Sequence, residues 1–397
     1  MRRYFEKILD TPVSYKEFPE LSGTGEYEGI KAITYDGVSI NNKRTKTFAY
    51  LGFPKECSEK MRAVVLVHGG GGMPFMEWIK IWNNRGYAAI AMSTTGHFPS
   101  FSTPQVCTPG FEKTWIHGLH GAFTEDGYTD SPDCDEMKNS YKPIEEQWMY
   151  HAVSSVILAH NLLRGLECID NDSIGLTGIS WGGIITSIVI GFDNRFAFAI
   201  PVYGSGYLPS SRGYQSEFFT TGKNAELWLA EKNFSNVDIP VLWLCYNKDA
   251  PHFSLHSNSL SYIDTVKNND NTRIAAINRM GHSHDAGWIR EESYGFANSI
   301  CKNAKRLPDF RNGNIYNPDN VEIMCLKVYY LTSPLTYVHG DKGETDYRME
   351  QEWEIANIEN LPSDAVDYYV EITSIIDDEK YITTSPMYST RSVNGRF

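Results

Sequence analysis

A serine flanked by glycines is the residue of this chain whose type and position best suit covalent chemistry. It is Ser180, in the stretch Gly178-Ile179-Ser180-Trp181-Gly182, a G-x-S-x-G pattern. The alternating apolar residues of 173–177 predict a strand before it, and the apolar run 184–190 predicts a buried helix after it. A serine on such a tight turn projects above the sheet, near a helix N-terminus that favours developing negative charge. The pattern therefore predicts a nucleophile rather than an idle serine in a glycine-rich turn.

A serine hydroxyl is a weak nucleophile at neutral pH and needs a neighbouring base, and two later turns supply candidates. Asp249 follows the predicted strand 241–246, and His282 follows the predicted strand 273–277 and Gly281. Serine, acid and histidine in this chain order indicate a triad, in which the imidazole takes the serine proton and the carboxylate orients the imidazole. His284 lies two residues further on and is the alternative base. The spacing favours His282 as the residue better placed to reach the serine, and His284 stays an alternative.

A run of glycines follows an apolar strand near the start of the chain. The strand is predicted at 63–67, and the sequence His68-Gly69-Gly70-Gly71-Gly72 comes directly after it. The run has neither the G-K-[ST] ending nor the spacing of a phosphate-binding loop. A loop of this type can supply a backbone N–H to an oxyanion hole, together with the N–H of the residue after the nucleophile. Gly69, Gly70, Gly71 and Trp181 are therefore the predicted oxyanion and substrate-binding residues.

The predicted elements that position these residues alternate between strand and helix. Strands are expected at 63–67, 87–92, 173–177, 196–202, 241–246 and 273–277, and helices at 75–84, 144–166, 184–190, 215–232, 255–267 and 288–304. This alternation is typical of a doubly wound, mostly parallel sheet, which is an α/β fold. Nucleophile, acid and base all follow strands, so they are expected at one edge of that sheet.

Three segments are predicted along the chain. Residues 1–60 form an entry segment with one or two hairpins, and 61–307 form the catalytic domain. Within the latter, the long aromatic-rich stretch 96–143 is expected to be a lid or pocket wall. Short alternating strands in 314–397 predict a small antiparallel, sandwich-like β domain. The sequence does not identify the role of that domain.

Composition excludes several classes of partner. The formal net charge is −13 and no long basic run is present, which argues against a nucleic acid or an anionic membrane surface. The N-terminus lacks the apolar stretch of a signal peptide. Seven scattered cysteines without a C-x-x-C pair are typical of reduced thiols, so a cytoplasmic location is expected. Whether the chain forms a homo-oligomer is left open.

No metal or other cofactor is expected. His282, His284 and Asp285 resemble part of an H-x-H-x-D-H metal motif, but Ala286 stands where the next histidine would be. His117 and His120 could share a helical face without an evident third ligand. A metal centre normally needs three or four protein ligands, so these histidines do not predict one.

Taken together, the motifs at His68–Gly72, Gly178–Gly183, Asp249 and Gly281-His282 resemble the α/β-hydrolase superfamily. Over residues 60 to 305 the chain resembles bacterial acetyl-xylan-esterase-like and dienelactone-hydrolase-like serine esterases. Trp181 stands where cephalosporin-deacetylase-type members carry Gln, and Ser180-Trp181-Gly182-Gly183 also resembles the S-Y-G-G of prolyl-oligopeptidase-type peptidases. In those peptidases a large propeller domain normally precedes the hydrolase domain.

The resemblance implies a serine carboxylesterase that hydrolyses short acyl esters, with acetyl groups on sugars or xylo-oligosaccharides as the expected substrate. The ring faces of aromatic residues in 98–141 would suit a sugar. Two alternatives stay open, a small-peptide serine hydrolase and a non-catalytic binding protein with the same fold. Neither the acyl group nor the alcohol can be read from the sequence.

Overall fold

The structure is a computed structural model that describes residues 1–55, 60–95, 128–129, 141–210, 218–220, 227–339 and 347–390. Its backbone contacts divide the chain into two compact units, Met1–Trp181 and Gly182–Phe397. The boundaries predicted from the sequence differ from this division and stay a prediction. Apart from 128–129 and 141–143, the predicted insertion 96–143 lies outside the described residues.

The first unit is built on a mixed sheet. Its strands are β1 (Tyr15–Glu17), β2 (Lys31–Asp36), β3 (Arg44–Gly52), β4 (Met61–Val67), β5 (Tyr87–Met92), β6 (Tyr128–Thr129) and β7 (Ile169–Ile179). They are ordered β1-β2-β3-β5-β4-β7, with β6 beside β3. β4 pairs in parallel with β5 and β7, whereas β1, β2, β3 and β5 pair antiparallel in that order.

Strand β4 lies inside the parallel part of this sheet because its residues are apolar on both faces. The stretch Ala63–Val67 is fully buried, as is typical of a parallel strand that is covered on both sides. The glycine run begins where β4 ends, and Ser180 follows the last residue of β7. Since β4 and β7 are parallel neighbours, both loops leave the sheet at the same edge.

In the described part of the first unit, four α-helices belong to it wholly or partly. They are α1 (Glu6–Leu9), α2 (Met76–Asn84), α3 (Trp148–Arg164) and α4 (Trp181–Ile190), of which α4 begins at the last residue of the unit. Nearly every residue of α3 is buried, and this helix contacts β4, β5 and β7. None of the helices in the described parts of the chain is long and apolar enough to cross a membrane.

In the second unit, α4 is followed by three parallel strands among the described residues. They are β8 (Phe198–Val202), β9 (Leu242–Tyr246) and β10 (Arg273–Ile277), with β9 between the other two. Among the described residues, the α-helices after α4 are α5 (Leu255–Thr265), α6 (His284–Trp288) and α7 (Glu291–Cys301), and 218–220 and 227 are helical as well. All three strands lie where the sequence predicts them, and Asp249 and His282 follow the ends of β9 and β10.

Antiparallel strands make up the rest of the second unit, as predicted for this part of the chain. They are β11 (Asp309–Arg311), β12 (Asn314–Tyr316), β13 (Glu322–Leu331), β14 (Tyr337–His339), β15 (Tyr347–Met349), β16 (Glu354–Ala356), β17 (Asp367–Ile376), β18 (Glu379–Thr384) and β19 (Tyr388–Ser389). Strands β16, β13, β17 and β18 form a sheet in that order, with β19 beside β17, and are called here the C-terminal sheet. β11 pairs with β12, and β14 with β15.

Two predicted helices differ from the structure. The helix expected at 288–304 is instead the pair α6 and α7, separated at Ile289 and Arg290. Ser283 accepts a hydrogen bond from the N–H of Ala286 and so caps an earlier start, while Glu291 and Glu292 favour a second N-terminus. Of the helix expected at 215–232, residues 218–220 and 227 are helical, whereas 230–232 belong to the 3₁₀ helix Ala230–Asn236. Residues 215–217 and 221–226 lie outside the described ranges.

The predicted fold class is confirmed. The parallel strands of both units, with a serine elbow after β7 and an acid and a histidine after β9 and β10, make this an α/β-hydrolase fold. The antiparallel C-terminal sheet is present in addition.

Candidate active site

The backbone of Ser180 has the geometry of a nucleophile elbow. It lies directly between β7 and α4, with no intervening residue, and its φ angle is +59°. This left-handed conformation is uncommon for a residue other than glycine and costs about 1–3 kcal/mol. Such strain persists only where the surrounding structure imposes it. Ser180 is only partly buried at the end of the strand.

The glycine loop after β4 forms a tight turn in which two glycines are exposed. The N–H of Gly72 donates to the carbonyl of Gly69 at 3.0 Å, and Gly71 at the turn has a φ of +65°. Only glycine adopts such an angle without cost, which explains its presence there. Gly69 is buried, whereas Gly70 and Gly71 are exposed.

The indole of Trp181 packs under this loop. A Cβ added to Gly70 would lie 2.9 Å from Trp181 Cδ1, so only glycine fits above the indole without displacing it. Trp181 is 4% exposed and contacts Trp148 edge to face, with ring centroids 5.4 Å apart. The residue after the nucleophile and the glycine loop are thus in direct contact within the first unit.

A chain of hydrogen bonds links Trp148 back to the same loop. Its Nε1–H donates to the carbonyl of Thr94 at 2.6 Å, and the N–H of Thr94 donates to His68 Nε2 at 3.0 Å. His68 Nδ1 is 2.8 Å from the carbonyl of Gly69. Because Nε2 accepts from a backbone N–H, the buried imidazole carries its proton on Nδ1 and donates it to Gly69. These contacts fix the start of the glycine loop.

Asp249 and His282 are brought together in the second unit. Both carboxylate oxygens of Asp249 lie 2.9 Å from His282 Nδ1. The acid is buried, and Oδ1 also accepts from the N–H of Ala250 at 2.8 Å. A carboxylate can only accept, so Nδ1 carries the proton and the lone pair of the neutral imidazole lies on Nε2. This is the tautomer that a general base needs.

Two aromatic rings also contact the imidazole of His282. Tyr203 stacks on it with a centroid distance of 4.4 Å, and Phe253 lies at 4.8 Å. Tyr203 is buried directly after β8 and has a φ of +53°. Burial raises the pKa of its phenol well above the ordinary value, so the ring stays neutral. The side chain of His282 is nevertheless 31% exposed, so its ring is accessible from solvent.

His284 occupies a different setting. It is the first residue of α6, and its ring lies 6.5 Å from that of Trp288. The carboxylate of Asp249 accepts a hydrogen bond from His282. Of the two histidines left open by the sequence, His282 is therefore the one that the structure places on the acid.

Burial raises the pKa of Asp249, although the charge and hydrogen bond of His282 act in the opposite direction. The folded protein thus holds this proton to a higher pH than the unfolded chain does. Between the ordinary value of 3.8 and the raised one, the folded state binds more protons, so this group lowers the free energy of unfolding as pH rises.

Replacing Asp249 by asparagine should remove that dependence. The free energy of unfolding of the wild type, minus that of Asp249→Asn, is expected to fall between about pH 4 and about pH 7, since the wild type alone must ionise a buried acid. Urea unfolding of both proteins at the two pH values measures this difference. A difference that grows with pH would contradict the raised pKa.

Sequence reasoning gave no individual role to several residues that surround the candidate site. Tyr203, Phe253, Trp148, Thr94 and His68 act on predicted residues through rings or hydrogen bonds. His68 and Tyr203 each directly follow a strand, at the edge where the other candidates are predicted. Their position after a strand was the signal that the sequence offered, whereas their contacts depend on tertiary packing.

In the described ranges, no group of three or more His, Cys, Asp or Glu side chains could hold a metal ion.

Comparison with known proteins gives structural likenesses at low identity. No protein-family model matches the chain, and neither does any curated protein. Acylaminoacyl peptidase from Pyrococcus horikoshii is 15% identical with a TM-score of 0.49, over 72% of this chain and 43% of that one. Acetyl xylan esterase from Paenibacillus sp. R4 is 16% identical with a TM-score of 0.48, over 75% and 92%. The chain therefore spans less than half the length of the peptidase.

Proposed function

We propose that this protein is a serine hydrolase that cleaves short acyl esters through an acyl-enzyme intermediate. The observation that carries the proposal is the left-handed backbone of Ser180 directly between β7 and α4. A strained conformation that presents a serine at the end of a strand is a feature of a nucleophile. The hydrogen bond from His282 to Asp249 supports it, since it provides an oriented base.

In this mechanism Ser180 Oγ attacks the ester carbonyl while His282 Nε2 takes its proton. The negative charge that develops on the carbonyl oxygen is stabilised by the N–H of Trp181 and an N–H of Gly69, Gly70 or Gly71. His282 then returns the proton to the departing alcohol. In the second half of the reaction His282 takes a proton from the water that attacks the acyl-enzyme, and returns it to Ser180 Oγ. Asp249 stabilises the imidazolium in each half of the reaction.

A short acyl group, with acetyl as the first candidate, is part of the proposal. The buried indole of Trp181 fills the space behind Gly70, next to the nucleophile, which favours a small acyl group. A sugar or xylo-oligosaccharide as the alcohol is proposed from the aromatic residues of 98–141, most of which lie outside the described residues. Acetyl xylan esterases and a peptidase are both among the structural likenesses, so a peptide substrate is the alternative to test.

Substrate profiling tests this proposal. Rates on p-nitrophenyl esters are expected to fall steeply from acetate to octanoate, because each added methylene needs space that the indole occupies. Acetylated xylo-oligosaccharides should be deacetylated, while dipeptidyl anilides should not be cleaved. A preference for octanoate would refute the short acyl group, and anilide cleavage without deacetylation would favour the peptidase. A folded protein inactive on every ester and anilide would favour the non-catalytic binding protein.

A further inference from the structure

The segment that carries Asp249 is held by side chains from the C-terminal sheet and from the residue just before β16. Asn247, two residues before the acid, is 2% exposed. Its carbonyl accepts a hydrogen bond from Trp353 Nε1–H at 3.0 Å, and its Nδ2 donates to the hydroxyl of Tyr369 at 2.8 Å. Both the main chain and the side chain of Asn247 are thus bonded to residues that lie more than 100 positions later.

The two partners of Asn247 belong to one packed aromatic cluster. Tyr369 on β17 is fully buried and stacks on Tyr329 of β13, with centroids 4.9 Å apart and planes 2° apart. Trp353 packs on Tyr369 edge to face at 5.1 Å. Burial raises the pKa of Tyr369 well above its ordinary value, so the phenol stays neutral and can accept from Asn247. Tight packing of this kind gives the cluster few alternative positions.

The path from Asn247 to the acid is short and tightly bonded. The N–H of Asn247 donates to the carbonyl of Ile277 at 3.3 Å, and the N–H of Asp249 donates to that of Tyr246 at 3.2 Å. Lys248, between them, pairs with Glu352, the neighbour of Trp353. A displacement of Asn247 would therefore move the backbone of Asp249, whose carboxylate sets the tautomer and orientation of His282.

We infer that the C-terminal sheet positions the catalytic acid, with Trp353 and Tyr369 acting as positioning residues through Asn247. This role rests on the proposed function, because it treats Asp249 as the acid of a triad. It gives the C-terminal sheet a part in catalysis rather than in stability alone. Trp353 and Tyr369 contact Asn247 rather than the proposed reacting groups, so their loss should impair proton transfer more than substrate binding.

The same sheet also contacts a helix away from the acid, which supplies a matched control. Tyr381 of β18 packs directly on Gly295 of α7, where an added Cβ would lie 2.4 Å from Tyr381 Cε1. The N–H of Ile382 donates to Glu292 of the same helix at 3.0 Å. Loss of the Tyr381 contact should weaken the attachment of the sheet without reaching Asn247.

The experiment compares Trp353→Phe and Tyr369→Phe with Tyr381→Leu in the full-length protein. All three should lower the free energy of unfolding in urea. On p-nitrophenyl acetate, Trp353→Phe and Tyr369→Phe should lower kcat about tenfold with KM nearly unchanged, since a misplacement of about 1 Å can cost about a hundredfold in rate. Tyr381→Leu should keep the kcat of the wild type. Tyr369→Phe removes a single oxygen and serves if Trp353→Phe does not fold.

A proton NMR measurement separates this inference from the proposed function. The Nδ1 proton that His282 donates to Asp249 should give a low-field resonance that is shifted or lost in Trp353→Phe and Tyr369→Phe and kept in Tyr381→Leu. If both variants keep the resonance and the kcat of the wild type, the positioning role is wrong. If the wild type has no hydrolytic activity, the proposed function fails, and the resonance alone still decides whether the sheet sets this hydrogen bond.

Discussion

Replacing Ser180 by alanine is expected to abolish ester hydrolysis while the protein stays folded. The hydroxyl is the proposed nucleophile, and removal of a triad member lowers kcat by about four to six orders of magnitude in serine hydrolases. The side chain is only partly buried, so its loss leaves no large cavity. The measurements are kcat on p-nitrophenyl acetate and covalent labelling by a fluorophosphonate probe, which should modify the wild type at Ser180.

Two further variants make this test specific. Ser187 lies on α4, the helix that follows Ser180. It is fully buried and donates to the carbonyl of Gly183 at 2.9 Å, so Ser187→Ala should keep both labelling and activity. Ser180→Gly should be at least as stable as Ser180→Ala, because alanine pays about 1–2 kcal/mol for the left-handed conformation and glycine does not. Label on another serine, or normal activity in Ser180→Ala, would refute the proposed nucleophile.

The elements around the candidate site could be predicted from the sequence because each has a strong local signal. Apolar runs mark β4 and β10, and a turn signal follows each of them, as Gly69 and Gly281 show. The structure gives β5 and β10 the predicted bounds, 87–92 and 273–277. Residues buried on both faces leave few alternatives to a parallel strand.

The start of β7 could not be predicted because its residues are polar. The strand begins at Ile169, four residues before the predicted start, and continues through Asp170, Asn171 and Asp172. Its register against β4 shifts there, since Met61 faces Ile169 and Ala63 faces Ile174. An irregular pairing of this kind leaves extra residues of one strand without a partner on the other, and the sequence has no periodicity that predicts it.

The surroundings of the candidate catalytic groups were beyond sequence reasoning for a different reason. Tyr203 adopts a positive φ although it is not glycine, and it stacks on a histidine 79 positions later. Asn247 bonds to Trp353 and Tyr369, which belong to a part of the chain with its own local pattern. Contacts between residues so far apart are set by the packed fold and leave no trace in local spacing.

Replacing His282 by alanine should lower kcat about as far as Ser180→Ala does, because the serine then has no base. The rings of Tyr203 and Phe253 would remain around the site that the imidazole leaves. Free imidazole added to His282→Ala is therefore expected to restore part of the activity, and to restore none in Ser180→Ala. Rates on p-nitrophenyl acetate with and without imidazole measure this difference.

His284→Ala is the matched control, since it removes the same side chain two residues away. His284 begins α6, whereas His282 Nδ1 lies 2.9 Å from both oxygens of Asp249. The control should keep most of the activity, because the hydrogen bond to Asp249 that orients the tautomer of a general base belongs to His282. Inactive His284→Ala with active His282→Ala would move the base to His284. Full activity in both variants would show that neither histidine is the base, so that the proposed mechanism would have no base for Ser180.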